Sequence, residues 1–344
     1  MSVVDVKKLL EEISPGNPCG ENLEYDPAFD ELQRESQGKP EQQIGETVIP
    51  GEPPDWKKVR TDALKLFART KDLRIAVLLT RALLNTGGFA GLRDGLELIT
   101  QLLRQYWDSV HPQLDPQEND DPTLRLNTLA ALCDHATILH ELRDTPMVDS
   151  RTFGRFCLRD MEMASGKLAA PAGDEHPAPQ SAEIDAAFLD CDPEQLQNTA
   201  DAVNASLEHI GAIEKLLAEN IGPEQATDLD ELRSVLTEVQ QIMSDKLANH
   251  GAEDSSAGDT ASAREPAPAP AQPLSGGINS REDIIRVLDS ACDYFARNEP
   301  SSPVPLLLRR AQRLISKDFM AIMEDIAPNA ISQVEAIRGP DTKT

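Results

Sequence analysis

The sequence has few aromatic residues and lacks the common patterns of catalytic and metal-binding residues. Aromatic side chains make up 4% of the 344 residues, while leucine and alanine are abundant, which favours an all-helical protein. No GxSxG or HExxH motif occurs, and His135 and His140 are five positions apart, so a helix would place them on different faces. The sequence therefore predicts a non-enzymatic protein without a cofactor or a metal.

Disulfide patterns, secretion signals and long apolar runs are also missing. The five cysteines are odd in number, far apart and never in CxxC spacing, which is typical of reduced thiols in the cytoplasm. No run approaches the ~20 apolar residues that span a bilayer, and the first residues lack the apolar segment of a signal peptide. We therefore expect a cytoplasmic protein that does not insert directly into a membrane.

Positive charge is scarce and unevenly distributed. Asp and Glu number 59 against 33 Lys and Arg, which gives a formal net charge of -26. Such a surface repels phosphate backbones and anionic lipids, so nucleic acid is an improbable partner. From residue 279 onward the chain has 9 Lys and Arg against 10 Asp and Glu, so copies of this segment could meet with little repulsion.

The longest apolar stretch, 71–107, predicts two helices that meet at Gly87 and Gly88. The first helix, 72–85, is apolar on nearly every side and must therefore lie inside a bundle. The second has a helical stripe from Leu92 to Tyr106, with Asp94 among the polar residues off the stripe. Gly91 and Gly95 lie one turn apart, and a close approach to a neighbouring backbone would offset their cost of about 1 kcal/mol each.

Shorter helices are predicted around this pair, with loops between them. Asp26-Pro27 and Asp55-Trp56 are helix starts, with an aspartate as the cap in the second case. Further helices are predicted at 3–13 and 123–143. We expect a mobile loop at 37–54, and a loop that holds at most a short strand at 148–166.

Composition divides the chain into five segments. The all-α fold comprises an N-terminal helical bundle, a middle helical hairpin, a disordered tether and a small helical C-terminal domain. The predicted boundaries are 1–169 for the bundle, 170–180 for a linker, 181–249 for the hairpin, 250–278 for the Ala/Pro-rich tether and 279–344 for the C-terminal domain. The hairpin helices are expected at 193–220 and 228–249.

The C-terminal segment has too small a core to be stable alone. Some 60 residues give a marginal domain unless copies associate. The sequence LLLRRAQRLI places Leu307, Ala311 and Leu314 on one helix face beside a basic cluster, Arg309, Arg310 and Arg313. This cluster is either a solvated helix face or a set of partners for carboxylates of a neighbouring subunit.

Three blocks together resemble the TssA family of bacterial type VI secretion systems, whose N-terminal region is the ImpA-type domain. They are SPGNPCGENLEYDPAFDEL, the stretch from DWKKV to LLRQYWDSVHP, and SREDIIRVLDSACDYFARNEPSSPVPLLLRRAQRLI with the segment that follows it. The resemblance implies an assembly protein whose C-terminal domain forms a multi-subunit ring, with the N-terminal domains reaching outward. The short C-terminal block is similar to members that act at the baseplate.

The resemblance also implies partners and signature residues. The implied partners are copies of the chain itself, the baseplate subunits TssK and TssE, the contractile sheath subunits and the Hcp tube. The N-terminal signature residues are Lys71, Asp72, Leu73, Arg74, Tyr106 and Trp107. The ring-domain residues are Pro300, Ser301, Pro303, Pro305, Leu306, Arg309 and Arg310, to which the basic cluster adds Arg313. Either set could be structural; the competing hypothesis is a small soluble adaptor or chaperone that delivers one assembly component.

Overall fold

The computed structural model describes residues 2–39, 42–44, 47–115, 117, 120–168, 179–254, 285, 288–289, 292 and 304–315. The chain divides into two units, Met1–Asp259 and Thr260–Thr344. The predicted linker and tether lie almost entirely outside the described residues, so the predicted domain boundaries stay predictions.

The first unit is built mainly of helices. In chain order they are α1 Val6–Leu9, α2 Pro27–Glu35, α3 Trp56–Phe67, α4 Leu73–Gln105, α5 Thr123–Ala130, α6 Ile138–Arg143, α7 Leu158–Ala164, α8 Ser181–Asp190, α9 Pro193–Ile221 and α10 Asp230–Asp254. Two antiparallel hairpins accompany them, β1 Gln42–Ile44 with β2 Thr47–Ile49 and β3 Pro146–Ser150 with β4 Gly154–Cys157. The protein is thus mostly helical, and the all-α prediction is corrected by these hairpins.

Helix α4 is a hairpin of two helical halves, as predicted. Gly88 has a non-helical backbone with φ 60°, which breaks the helix and reverses the chain. A Cβ on Gly91 would lie 2.0 Å from the Leu83 carbonyl oxygen, and one on Gly95 would lie 2.5 Å from the Thr80 hydroxyl. The two halves therefore lie antiparallel at a distance that only glycine allows.

The predicted caps of α2 and α3 are confirmed. Asp26 accepts a hydrogen bond from Ala28 N, with Pro27 as the first helical residue. Asp55 accepts from the backbone N–H groups of Lys57 and Lys58 at 3.1 Å each. The four residues predicted to face inward from α3 are all buried, namely Val59, Ala63, Leu66 and Phe67.

Two helix predictions were too long. The first helix spans only Val6–Leu9 instead of 3–13. The predicted helix at 123–143 is interrupted after a 3-10 turn at Ala131–Cys133. Asp134 causes this interruption, because its carboxylate accepts hydrogen bonds from Ala136 N and the Thr137 hydroxyl, at 3.1 and 2.7 Å. Such local bonds compete with helical backbone bonds.

The two predicted loops contain regular structure. Strands β1 and β2 occupy part of 37–54, and β3, β4 and α7 occupy most of 148–166. The turn between β3 and β4 is closed by Ser150, whose hydroxyl accepts hydrogen bonds from Thr152 N and Phe153 N. Gly154 follows with φ 88°, a conformation that favours glycine. Apolar and polar residues do not alternate regularly in this short hairpin, so hydrophobic periodicity did not predict its strands.

The middle hairpin is present and packs against the central pair. Helices α9 and α10 face each other through apolar side chains, and α9 forms the most extensive packing of α4. Helix α10 ends at Asp254, five residues beyond its predicted end. The hairpin therefore completes the core of the first unit.

Among the described residues, one helix, α4, is long and apolar enough to span a membrane. Most of its apolar stretch is buried inside the first unit, and its halves lie antiparallel. Its apolar surface is accordingly used by the protein core.

The second unit is described over 285, 288–289, 292 and helix α11, Val304–Ile315. Gln312 on α11 donates hydrogen bonds to the Ile285 carbonyl and to Asp289, at 3.1 and 2.7 Å. Leu307 on the same helix is 66% exposed, and Ala311 one turn later is also exposed. The apolar face predicted for this helix therefore includes exposed residues.

Candidate interaction site

The N-terminal signature residues meet at a junction between two distant chain segments. Lys71 N donates to the Cys19 carbonyl at 2.7 Å, and Leu73 N donates to the His111 carbonyl at 2.8 Å. His111 N in turn donates to the Lys71 carbonyl at 3.0 Å. The entry to α4 is thereby tied to the segment that follows its exit and to the N-terminal loop.

Lys71 is buried in this junction, with 2% of its surface exposed. Its ammonium donates to the Phe67 carbonyl at 3.1 Å, where it meets the carbonyl end of α3. Burial lowers the pKa of Lys71, and the charges of Cys19 and Glu11 oppose that effect. A cation suits a helix C-terminus, which explains how the buried charge is tolerated.

Asp72 and Arg74 form an ion pair at the start of α4, in which two guanidinium nitrogens contact the carboxylate. Arg74 Nη2 and Nε lie 2.7 and 3.2 Å from Asp72 Oδ2, and Arg74 N donates to Asp72 Oδ1 at 2.8 Å. Arg74 also reaches Asn22 Oδ1 at 3.1 Å and lies over the Phe29 ring. Burial by itself would lower the pKa of Arg74, but the hydrogen bond and charge of Asp72 outweigh burial and raise it. This pair therefore anchors the N-terminal loop to α4.

Tyr106 and Trp107 hold the other end of α4. The Tyr106 hydroxyl donates to the Leu10 carbonyl at 2.6 Å, which fixes the chain after α1. The Trp107 ring lies beneath the guanidinium of Arg125, 5.1 Å from its centroid. All six signature residues thus support one junction, and Lys71, Asp72 and Leu73 are too buried to contact a partner.

Arg125 is a central residue of this junction that the sequence analysis did not single out. It is fully buried and donates to the carbonyls of Pro112, Trp107 and Val110, at 2.6, 2.5 and 2.7 Å. Burial lowers the pKa of Arg125 to about 10, and the charges of Asp108 and Cys19 oppose that effect. Leu129 lies one helical turn after Arg125 on the predicted buried face, and this spacing could have indicated that Arg125 is buried.

Asp94 was predicted to lie off the buried stripe, and that prediction is wrong. Its carboxylate is 1% exposed and accepts hydrogen bonds from Val3 N at 2.5 Å, Val4 N at 3.1 Å and Ser2 Oγ at 2.9 Å. Burial alone would raise the pKa of Asp94, but these bonds and that of Arg93 outweigh it and lower the pKa. The N-terminal segment is thus held on α4, a long-range contact that helical spacing cannot reveal.

The ring-domain residues are only partly described. Arg309 is exposed and Arg310 is half-buried on α11. The side chains of Pro305, Leu306 and Arg313 lie outside the described part of that helix, as do residues Pro300, Ser301 and Pro303 altogether. Their assignment to an interface therefore stays a prediction.

No group of three or more metal-binding side chains occurs among the residues that the structure describes. His135 pairs with Glu231 at 2.9 Å and His140 with Asp144 at 3.4 Å, both at exposed positions. No disulfide joins the cysteines that the structure describes, and burial raises the pKa of the Cys157 thiol to about 12. A cleft of about 770 Å³ lies beside the Gly88 break, lined by α4, β3 and the start of α9.

Comparison with known proteins matches this architecture. Residues 10–134 match the family described as ImpA, N-terminal, type VI secretion system. The type VI secretion system component TssA1 of Pseudomonas aeruginosa is 43% identical over 350 residues, which cover 99% of this chain and 100% of the relative. A solved N-terminal domain of TssA from Burkholderia cenocepacia, which includes the conserved ImpA_N region, is 27% identical, with a TM-score of 0.59. That likeness covers 72% of this chain and 95% of the solved domain.

The helical core and these matches define a structural and assembly component of a type VI secretion system. Within that class, the near-full-length relative shows that the chain belongs to the TssA family. The expected family resemblance is confirmed.

Proposed function

We propose that this protein forms a multi-subunit ring through residues 279–344 in the cytoplasm. Its N-terminal units extend outward and recruit baseplate subunits such as TssK and TssE, the contractile sheath subunits and the Hcp tube. The short C-terminal block favours a role at the baseplate. The protein acts as a scaffold and has no catalytic step.

The observation that supports the ring most directly is the exposed apolar face of α11. Leu307 is 66% exposed, although the sequence places it at a core-like position of an amphipathic helix. Ala311 lies on the same side one turn later and is exposed as well. Covering a leucine side chain by a second copy contributes roughly 1.5–3 kcal/mol when burial is complete.

Charge distribution supports the same face as a contact between copies. The segment from residue 279 has 9 basic and 10 acidic residues, so its copies carry little net charge and repel each other only weakly. Exposed Arg309 lies beside the apolar face and can pair with a carboxylate of the next copy. The remaining chain is strongly acidic, which favours separation of the N-terminal units around the ring.

A ring also explains the usefulness of the Ala/Pro-rich segment at 250–278. Several N-terminal units attached to one ring raise the local concentration of each weak contact, provided that the connections span the binding sites. An extended Pro-rich segment is suited to that reach. The competing hypothesis, a small adaptor or chaperone, needs neither a ring nor several copies.

Mass photometry of two full-length variants tests the proposal. Leu307→Glu places a charge on the proposed contact, whereas Leu124→Glu changes an equally exposed leucine of the first unit, at 62% exposure. We expect wild type and Leu124→Glu to form one large closed oligomer and Leu307→Glu to form smaller species. A wild-type chain that remains a monomer or dimer at micromolar concentration would favour the adaptor.

A further inference from the structure

Tyr25 is an exposed aromatic side chain on the loop that precedes α2. It is 90% exposed, and no hydrogen bond or ring contact connects it to the residues described in the structure. A tyrosine ring offers a large apolar area with a polar tip, a combination that is common at protein interfaces. A single exposed aromatic is unremarkable by itself, so its surroundings decide what it can do.

The backbone before Tyr25 is fixed by contacts with the turn between α3 and α4. The Thr70 hydroxyl donates to the Glu21 carbonyl at 2.7 Å, and the Leu23 side chain is buried. Gly20 has φ 71°, and a Cβ there would lie 2.1 Å from the Arg69 carbonyl oxygen. This end of the loop therefore cannot move without breaking the core.

The backbone after Tyr25 is held equally firmly. Asp26 N donates to the Leu23 carbonyl at 2.9 Å, while Asp26 Oδ2 accepts from Arg69 Nη2 at 2.5 Å. Phe29, one turn into α2, is buried. Tyr25 is thus presented on a rigid support, so a partner that covers it does not have to order the loop first.

The sequence around Tyr25 is acidic. Residues 20–31 read GENLEYDPAFDE, with five acidic residues and no basic one. Three of the five carboxylates are paired within the unit: Asp26 with Arg69, Glu24 with Arg74 and Glu31 with Lys58. Glu21 and Asp30 are exposed and take part in no ion pair with the described residues. The surface that complements these carboxylates is rich in lysine and arginine.

We propose that the loop 21–30 is a docking surface for a Lys/Arg-rich surface of a different protein, with Tyr25 as its central anchor. The ring face of Tyr25 receives a cationic side chain or packs on its apolar stem, and the carboxylates of Glu21 and Asp30 pair with neighbouring cations. The partner's cations also speed its approach at low salt. This inference rests on the proposed recruiting role of the N-terminal unit and specifies the surface that performs it.

The N-terminal part of a second copy is a poor occupant of this loop. Residues 1–278 carry nearly all of the net charge of -26, so two such units repel each other. Nucleic acids and anionic lipids are repelled for the same reason. We therefore assign the basic surface to a different protein, and the crosslinking experiment below tests a second copy as the other outcome.

Site-specific photo-crosslinking at position 25 identifies the partner in cells with an active secretion system. A photoreactive phenylalanine replaces Tyr25 in the full-length chain, and Leu124 is replaced in a control chain. We expect position 25 to crosslink, well above the control, to a different polypeptide within a Lys/Arg-rich segment. Crosslinks to copies of this chain, to an acidic or uncharged segment, or at no more than the control level would overturn the proposal.

Binding of the crosslinked partner, once purified, then tests the chemistry. Tyr25→Ala should weaken binding roughly 30-fold, as expected for an anchor residue, while Tyr25→Phe should stay close to wild type. Glu21→Lys should slow association most strongly at low salt and lose that effect at high salt. Equal affinity of Tyr25→Ala and wild type, or a salt-independent effect of Glu21→Lys, would overturn the proposal.

Failure of the docking surface and failure of the ring can be told apart. Tyr25→Ala should leave the oligomeric mass of the full chain unchanged, because Tyr25 lies in the first unit. Leu307→Glu should reduce that mass but leave the one-to-one affinity of the loop for the basic partner within about two-fold of wild type. A drop in mass caused by Tyr25→Ala would place the residue at a contact between copies and overturn the docking proposal.

Discussion

The buried helix α4 and the amphipathic helix α11 differ in how their apolar faces are covered. In α4 the residues around the Gly88 break are packed by the helix itself, by α3 and by α9, all from the same unit. In α11 Leu307 and Ala311 are exposed. The first unit thus contains the neighbours that its core needs, whereas the second unit has an apolar face that association would bury.

The largest effect is expected from a side chain at the closest approach within α4. Gly91→Val would place Cβ 2.0 Å from the Leu83 carbonyl oxygen, a backbone atom that cannot turn aside. We expect the free energy of unfolding of the first unit to fall by about 4 kcal/mol or more, measured by urea denaturation.

Gly211→Ala is the matched control for that variant. Gly211 is also helical, but nothing lies within 4 Å of the position of its Cβ. Alanine there should stabilise the unit by about 0.5–1 kcal/mol. If Gly91→Val were tolerated as well as Gly211→Ala, the close packing of the two halves would be wrong.

A somewhat smaller loss is expected from Arg125. Arg125→Met keeps much of the side-chain volume but leaves three carbonyls, those of Pro112, Trp107 and Val110, without their shared donor. We expect a loss of about 3 kcal/mol in unfolding free energy. Arg155→Met, at an exposed pair with Asp149, should change stability by less than about 1 kcal/mol. Similar small losses in both variants would contradict a central structural role for Arg125.

The smallest effect is expected from Asp94, and it depends on pH. The folded-state pKa of Asp94 is lowered, so its contribution to stability is present above the unfolded pKa of about 3.9 and is lost as pH falls through the folded value. Asp94→Asn should therefore cost about 1–2 kcal/mol at pH 7. The difference from wild type should shrink progressively below about pH 4.

Chemical denaturation of wild type and Asp94→Asn at several pH values checks this prediction. Other carboxylates also titrate in acid, so the difference between the two chains is the relevant quantity. A difference that stays constant from pH 7 to pH 3 would show that the Asp94 charge does not hold the N-terminal segment.

Local sequence signals were sufficient for much of the first unit. The turn at Gly88, the close packing at Gly91 and Gly95, the caps at Asp26 and Asp55 and the middle hairpin all follow from helical period, glycine chemistry and capping preferences. Each of these features is decided by residues within a few turns of one another. Local propensity and tertiary packing agree there, so the sequence alone was informative.

The features that the sequence missed depend on contacts between distant segments. Asp94 is buried because the N-terminal residues Ser2–Val4 need an acceptor, and Arg125 is buried because carbonyls 13 to 18 positions earlier converge on it. A charged residue in a helix ordinarily indicates a solvated face, so period alone gave the wrong side for Asp94. The exposure of Tyr25 could not be predicted from the block SPGNPCGENLEYDPAFDEL, because it depends on how the folded loop is anchored.

Association through the second unit is tested most directly by the native mass of the full chain beside that of a chain ending at Asp259. We expect a large closed oligomer for the full chain and a folded monomer for residues 1–259. A full chain that stays monomeric, or a shortened chain that forms the same oligomer, would contradict the claim that the second unit brings the copies together.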